Sequence, residues 1–129
     1  MPNATIEVRR QYSQTEETGI IDAIHAAMMH ALEIPEWDKT VRLVVHEPHR
    51  FPQTPEKGER YTIVDIDLFS GRSLEAKKAL YQAIVRKLEP FGIPGDQIKI
   101  LLRESPAENW GIRGGVPASE VDLGFDVNV

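Results

Sequence analysis

The sequence predicts an α+β fold in which two fused β-α-β repeats form one four-stranded mixed sheet with two helices on one face. Three observations carry this. The order strand, helix, break, strand occurs once from Thr5 to Glu47 and again from Tyr61 to Ser105, with Ile34-Pro35 in the first break and Ile93-Pro94 in the second. A recurring order of this kind is the signature of an internal repeat. Every strand segment alternates polar with apolar residues, so each has a single apolar face. A strand, helix, strand crossover of this length joins parallel strands, so two such units make a four-stranded sheet.

The elements follow in order. The first repeat, about 2–48, opens with TIEVR, in which Ile6 and Val8 point one way. A helix from about Thr15 to Leu32 carries Ile20, Ile21, Ile24, Met28 and Leu32 at helical spacing, and Ser13 with Glu16 forms a capping box at its start. The segment EIPEWDK breaks it, and VRLVVHE returns as a strand with Val41, Leu43 and Val45 on its apolar face. A linker of about 49–60, rich in proline and charge, leads to the second repeat, about 61–105. There YTIVDIDLF is a strand, Gly71 and Ser73 supply turn and N-cap, a helix from about Ser73 to Leu88 carries Leu80, Tyr81, Ile84 and Leu88, and IKILLRES is the last strand. The tail 106–129 belongs to neither copy and is expected to dock on the domain or on a neighbour. Both helices should cover the apolar sheet face. The other face carries Glu7, Arg9, Arg42, Asp65, Asp67, Lys99 and Arg103 among Val44, Ile63, Phe69 and Leu101, a pattern that fits a solvated face or a subunit interface with paired charges.

A chain of 129 residues, 41% of them hydrophobic, has the length and apolar mass of one ordinary domain spanning 1–129. Its formal net charge of -5 leaves no basic footprint for a phosphate backbone, so nucleic acid is excluded as a partner. With no cysteine there is neither a disulfide nor thiolate chemistry. No apolar run approaches a membrane span and no signal-peptide core opens the chain, so no membrane partner and a cytoplasmic location are expected. His46 and His49 stand at a strand exit beside Pro48 without a matching ligand pair, so no metal is expected. His25 reads as a boundary histidine and His30 as a surface one.

If the two copies pair antiparallel through their first strands, Pro2, Asp38, the end of the third strand at Ser70-Gly71-Arg72, and Glu104 all arrive at one edge of the sheet. Proline after the initiator methionine is commonly no more than strand-edge protection. Its chemical alternative is distinctive: once Met1 is removed, Pro2 carries a free secondary amine, able to act as base or nucleophile. Arg72 stands at the start of the second helix, where free amides and the helix dipole favour an anion such as a carboxylate.

Pro2 after Met1, IPEWDK with Asp38, VVHEPHRF, DLFSGRSLEAKKALYQAIVRKL with Arg72, and ESPAENW with Trp110 cover nearly the whole chain. In these features the chain resembles the tautomerase superfamily of 4-oxalocrotonate tautomerase-like proteins, with its closest fit to the malonate semialdehyde decarboxylase-like branch. The resemblance implies a homotrimer, a removed methionine and Pro2 as the catalytic amine. It also implies Arg72 as the residue that binds and polarises a substrate carboxylate or carbonyl, and Asp38 as the carboxylate that orients the base or activates water. One departure stands out: the decarboxylase branch has a second arginine two positions before Arg72, where this chain has Ser70. Arg50, Arg60 and Arg113 are the residues left to substitute for it, from a loop or from a neighbouring subunit.

The expected chemistry is keto-enol tautomerisation of a 2-oxo acid, a small-molecule carboxylate substrate, by the Pro2 amine with Arg72 holding the enolate charge and no cofactor. Decarboxylase or hydratase chemistry with Asp38 activating water is the alternative, and a non-catalytic trimeric binding module is the reading if Met1 is retained. Ser70, Phe69 and Trp110, with Phe51, are candidate substrate contacts, the aromatic ones as an apolar wall.

Overall fold

The computed structural model describes residues 1–129. Strand β1 (Asn3–Val8) is followed by α1 (Gln14–Leu32), β2 (Val41–Val45), β3 (Thr62–Phe69), α2 (Leu74–Leu88) and β4 (Ile98–Ser105), with a small hairpin of β5 (Gly111–Ile112) and β6 (Val116–Pro117) in the tail. The main sheet runs in the order β2-β1-β3-β4. β1 pairs parallel with β2 from Ala4↔Val41 to Val8↔Val45, and β3 parallel with β4 from Thr62↔Ile98 to Phe69↔Ser105. The copies meet antiparallel at β1 and β3, where Asn3 opposes Asp67 and Val8 opposes Thr62.

Both helices pack on the face formed by Ala4, Ile6, Val8, Val64, Ile66 and Leu68, all buried. Ile20, Ile24, Met28 and Leu32 of α1 and Leu80, Ile84 and Leu88 of α2 are fully buried against it, each contributing about 1.5–3 kcal/mol by removal from water. The caps form as the sequence dictates. Ser13 Oγ accepts from the Glu16 amide while Glu16 Oε1 accepts from the Ser13 amide, and Ser73 Oγ accepts from the Ala76 amide. α1 stops where Glu33 turns left-handed at φ 56° and donates its amide to Met29 O.

β2 ends two residues short of the expected VRLVVHE because Pro48 starts a single 3₁₀ turn, Pro48–Arg50, and proline has no amide to extend the ladder. The open sheet face is mixed, as the sequence predicts. Arg103 reaches Asp65 at 3.2 Å and Asp67 at 3.0 Å, His46 meets Glu7 at 2.9 Å, and Val44 and Leu101 are exposed beside them. Phe69 is the exception on that face: it is buried because the Trp110 ring stacks edge-on against it at 4.8 Å.

Candidate functional site

At one edge of the sheet the chain start, the turn before β2, the turn before α2 and the end of β4 come together. Parallel pairing puts the beginnings of β1 and β2 side by side, and the antiparallel partner brings the end of β3 to the same edge. Pro2 is buried there, and the adjoining Ala4 amide donates to Thr40 O at 3.0 Å.

Asp38 closes the turn after Pro35, with its amide on Pro35 O at 3.1 Å. The turn is tied down from α1 twice: a ring nitrogen of His25 lies 3.0 Å from Glu36 O, and Lys39 Nζ lies 2.7 Å from Asp22 Oδ1. The Asp38 carboxylate is 6% exposed, and its Oδ2 lies 3.5 Å from the Met1 α-amine while making no hydrogen bond. Burial depresses the pKa of that amine, the Asp38 charge raises it, and the Arg72 charge lowers it again. The net effect is downward.

Arg72 follows Gly71, whose φ of 128° and whose close approach to the Asn128 side chain leave no room for a Cβ. Arg72 is 5% exposed, yet its Nε, Nη1 and Nη2 all lack hydrogen-bond partners. Burial lowers its pKa, against the fields of Asp38, Asp126 and Glu104, but a guanidinium stays protonated in any case. A buried cation with every donor unmatched carries a desolvation cost that an anionic ligand would offset.

Around these groups stand two aromatic pairs. Phe69 packs on Trp110, whose indole N–H donates to Ser105 Oγ at 2.8 Å. Trp37, next to Asp38, meets Phe125 of the tail edge-on at 5.9 Å. The tail continues across the turn before α2, where the Ser73 amide donates to Val129 O at 2.8 Å. Glu104 holds Lys77 by an ion pair on the α2 side.

Of the residues expected from the sequence, Pro2, Asp38 and Arg72 are thus brought together, with Phe69 and Trp110 packed on each other at the neighbouring strand ends. Ser70 is exposed, its amide on Ser105 O at 2.9 Å. Phe51 is a correction: it lies at the opposite edge against His46, Tyr61 and Arg9, because the linker folds back over the ends of β1 and β2. Arg60 lies at that edge too, bonded to Phe91 O and facing Tyr12, and Arg50 belongs to the 3₁₀ turn there. Arg113 sits in the tail hairpin with Nη1 on Asp122 O. No group of histidines and acids capable of holding a metal occurs. A surface cleft of about 410 Å³ between Val85 and Gly95 lies away from this cluster and gathers no catalytic groups.

Sequence reasoning missed Trp37 and the tail residues Phe125–Val129 as neighbours of the site, and His25 and Lys39 as its supports. Only the Gly-Arg-Ser turn signalled a close backbone approach, and nothing in the sequence said by what.

The family model for tautomerase enzymes matches residues 38–113. A 2-hydroxymuconate tautomerase of Comamonas testosteroni is 40% identical over 57 residues, which are 43% of this chain and 89% of that protein, as expected of a single unit set against a doubled one. The structure of FG41 malonate semialdehyde decarboxylase inhibited by 3-bromopropiolate superposes with a TM-score of 0.81 at 24% identity, covering 89% of this chain and 92% of that one. A fused 4-OT solved as a symmetric trimer superposes with a TM-score of 0.74 at 22% identity, covering 90% and 95%. No helix is long and apolar enough to cross a membrane. With the fold, the clustered edge residues and the family match in agreement, the chain belongs to the tautomerase enzyme family.

Proposed function

We propose that this chain is a cofactor-independent tautomerase that moves a proton between carbon and oxygen of a 2-oxo acid, with the N-terminal amine of Pro2 as acid and base. The observation that carries it is Arg72: a 5% exposed guanidinium with no partner on any nitrogen, in the same buried edge as Pro2 and Asp38. The substrate carboxylate and the adjoining carbonyl oxygen take the orphaned donors. The neutral amine abstracts the proton alpha to the ketone, and the electron pair moves onto oxygen as an enolate that Arg72 stabilises. The ammonium then returns the proton to oxygen, and the reverse path runs from enol to ketone. Phe69 with Trp110, and Trp37 with Phe125, give an uncharged substrate tail apolar surface.

With Met1 in place, Pro2 nitrogen is a tertiary amide and the Met1 amine occupies the space beside Asp38. Removal of Met1 is therefore part of the proposal. The test is ketonisation of enol phenylpyruvate by protein of confirmed N-terminal mass. Processed protein should be active, and Pro2→Ala should lose about 10²–10⁴-fold. A fully active Pro2→Ala would refute the role of Pro2.

A second reading has its own observation. The buried Asp38 Oδ2 accepts no hydrogen bond and faces the amine, a placement that favours a cationic amine and leaves a carboxylate free to activate water, as decarboxylation or hydration requires. We place this beneath the tautomerase activity as a side reaction. We further propose a homotrimer closed through the open sheet face, where exposed Val44 and Leu101 lie among the ion pairs of Arg103; a trimeric fused 4-OT shares the fold.

A further inference from the structure

The tail crosses the candidate site and is fixed on both sides of it. Phe125 packs on Trp37, next to Asp38. Three residues on, Asn128 fills the space a side chain at Gly71 would need, and Val129 O takes the Ser73 amide, so the turn holding Arg72 is clamped. Asp126 lies between these two anchors, its Oδ1 accepting the Asn128 amide at 2.9 Å. Its charge acts on the Arg72 guanidinium.

Counting charges around the edge gives an unusual balance. The cations that act on the site are Arg72 and the terminal amine, since Lys77 is engaged by Glu104 and the position two before Arg72 is Ser70. Against them stand Asp38 and Asp126, the charge of Glu104 being matched by Lys77. One substrate carboxylate finds the unmatched donors of Arg72. A second one meets, within the chain, the carboxylate of Asp126 already in place.

We propose that Asp126 is a specificity-determining residue: it restricts the site to 2-oxo acids with a single carboxylate and an uncharged remainder, and turns dicarboxylates away. The proposal rests on the tautomerase reading for the identity of the substrate but not for the charge selection itself. Asp126 is exposed, so its repulsion is screened by salt and is strongest at low ionic strength.

The experiment therefore measures binding as well as turnover. Phenylacetate and 4-carboxyphenylacetate, one and two carboxylates on the same frame, are titrated against tryptophan fluorescence in about 10 mM buffer, with phenylpyruvate ketonisation run beside them. Asp126→Asn keeps an oxygen for the Asn128 amide and removes the charge. The wild type should bind phenylacetate at least about tenfold tighter. Asp126→Asn should shrink that ratio by about tenfold, the scale of one unit charge pair at a partly exposed site, and about 0.5 M salt should shrink it in the wild type alone. A wild type that binds both equally, or a ratio unchanged by Asp126→Asn, overturns the proposal. Phenylpyruvate turnover without charge selection sinks Asp126 alone. Charge selection without turnover keeps Asp126 and sinks the tautomerase reading. No binding of either acid overturns both.

Discussion

In the proposed reaction the pairing of Asp38 with a terminal amine, seen here for Met1, decides between proton transfer and water chemistry, and Asp38→Asn removes its charge with little change of shape. At 3.5 Å two unit charges attract by about 1.2 kcal/mol in bulk water and by about 4.7 kcal/mol at an effective dielectric of 20. Those bounds correspond to about one and about three and a half pKa units. Met1 remains partly open to solvent, so the lower bound governs, and the Met1 amine pKa should fall further in Asp38→Asn, in the direction burial has already taken it. The assay is the pH dependence of amine acylation by a limiting reagent, read by mass spectrometry on peptides of the N-terminus. For the enzyme the consequence is directional. A larger neutral fraction at pH 7 spares tautomerisation, whereas loss of the carboxylate abolishes any water-dependent reaction with malonate semialdehyde or an acetylenic acid. An amine pKa that moves by less than about 0.3 unit would show that Asp38 does not hold the amine by charge, and equal loss of both activities would show that it only positions Pro2.

Arg72→Met should lower kcat/KM for phenylpyruvate by about 10²–10³, the usual effect of removing an oxyanion donor, while leaving the melting temperature level or raising it, because a buried cation without partners is replaced by an apolar chain; a large loss of stability would show that Arg72 is structural. In the chain that keeps Met1, the amine titrates lower folded than unfolded, so the unfolded state takes up its proton first, and stability falls as pH drops from about 8 through the depressed folded value. Urea midpoints between pH 6 and 9 check this, and Asp38→Asn should widen the interval. Sedimentation of the purified protein should give the mass of three chains, and a monomer at micromolar concentration would refute closure through the open face.

How far the sequence carried depended on whether a feature was local. Strand alternation, helical spacing and the caps at Ser13 and Ser73 are written in neighbouring residues, and the structure forms each of them. Pro2, Asp38 and Arg72 lie far apart in the chain, but their convergence follows from strand direction alone once the two copies are paired antiparallel, so topology stood in for contact. Features set by side-chain packing between distant segments were not legible. Phe69 reads as an open-face residue by alternation, and only Trp110, from the segment after β4, buries it. Phe51 reads as a wall for the site, and the fold of the linker takes it to the far edge. The tail alternates Val121, Leu123, Phe125, Val127 and Val129 with other residues, which signals docking but not where, so nothing announced that Asp126 would sit between Trp37 and the Arg72 turn.

Two copies of one unit would place equivalent groups at both ends of the sheet, yet the chemistry gathers at one end only. The equivalent of Arg72, immediately before the N-cap, is Tyr12, whose buried phenol is pushed up in pKa by desolvation and stays neutral. The equivalent of Asp38, three residues after the Ile-Pro proline, is Gln97, and its side-chain oxygen is taken by the Gly58 amide of the linker at 2.7 Å. The position matching Pro2 is Thr62, which is entered through a peptide bond from Tyr61 and so has no amine to offer. Each difference removes one group of the proposed site: the guanidinium, the carboxylate and the amine. The linker then fills the far edge, with Arg60 on Phe91 O and Arg10 on Glu59, while Arg9 Nε and the Tyr12 hydroxyl there stay without partners. At the Pro2 edge all the donors of Arg72 are left open. The two ends of the scaffold thus differ in kind: only the Pro2 edge holds a guanidinium with every nitrogen unmatched, and that is the group we propose a ligand completes.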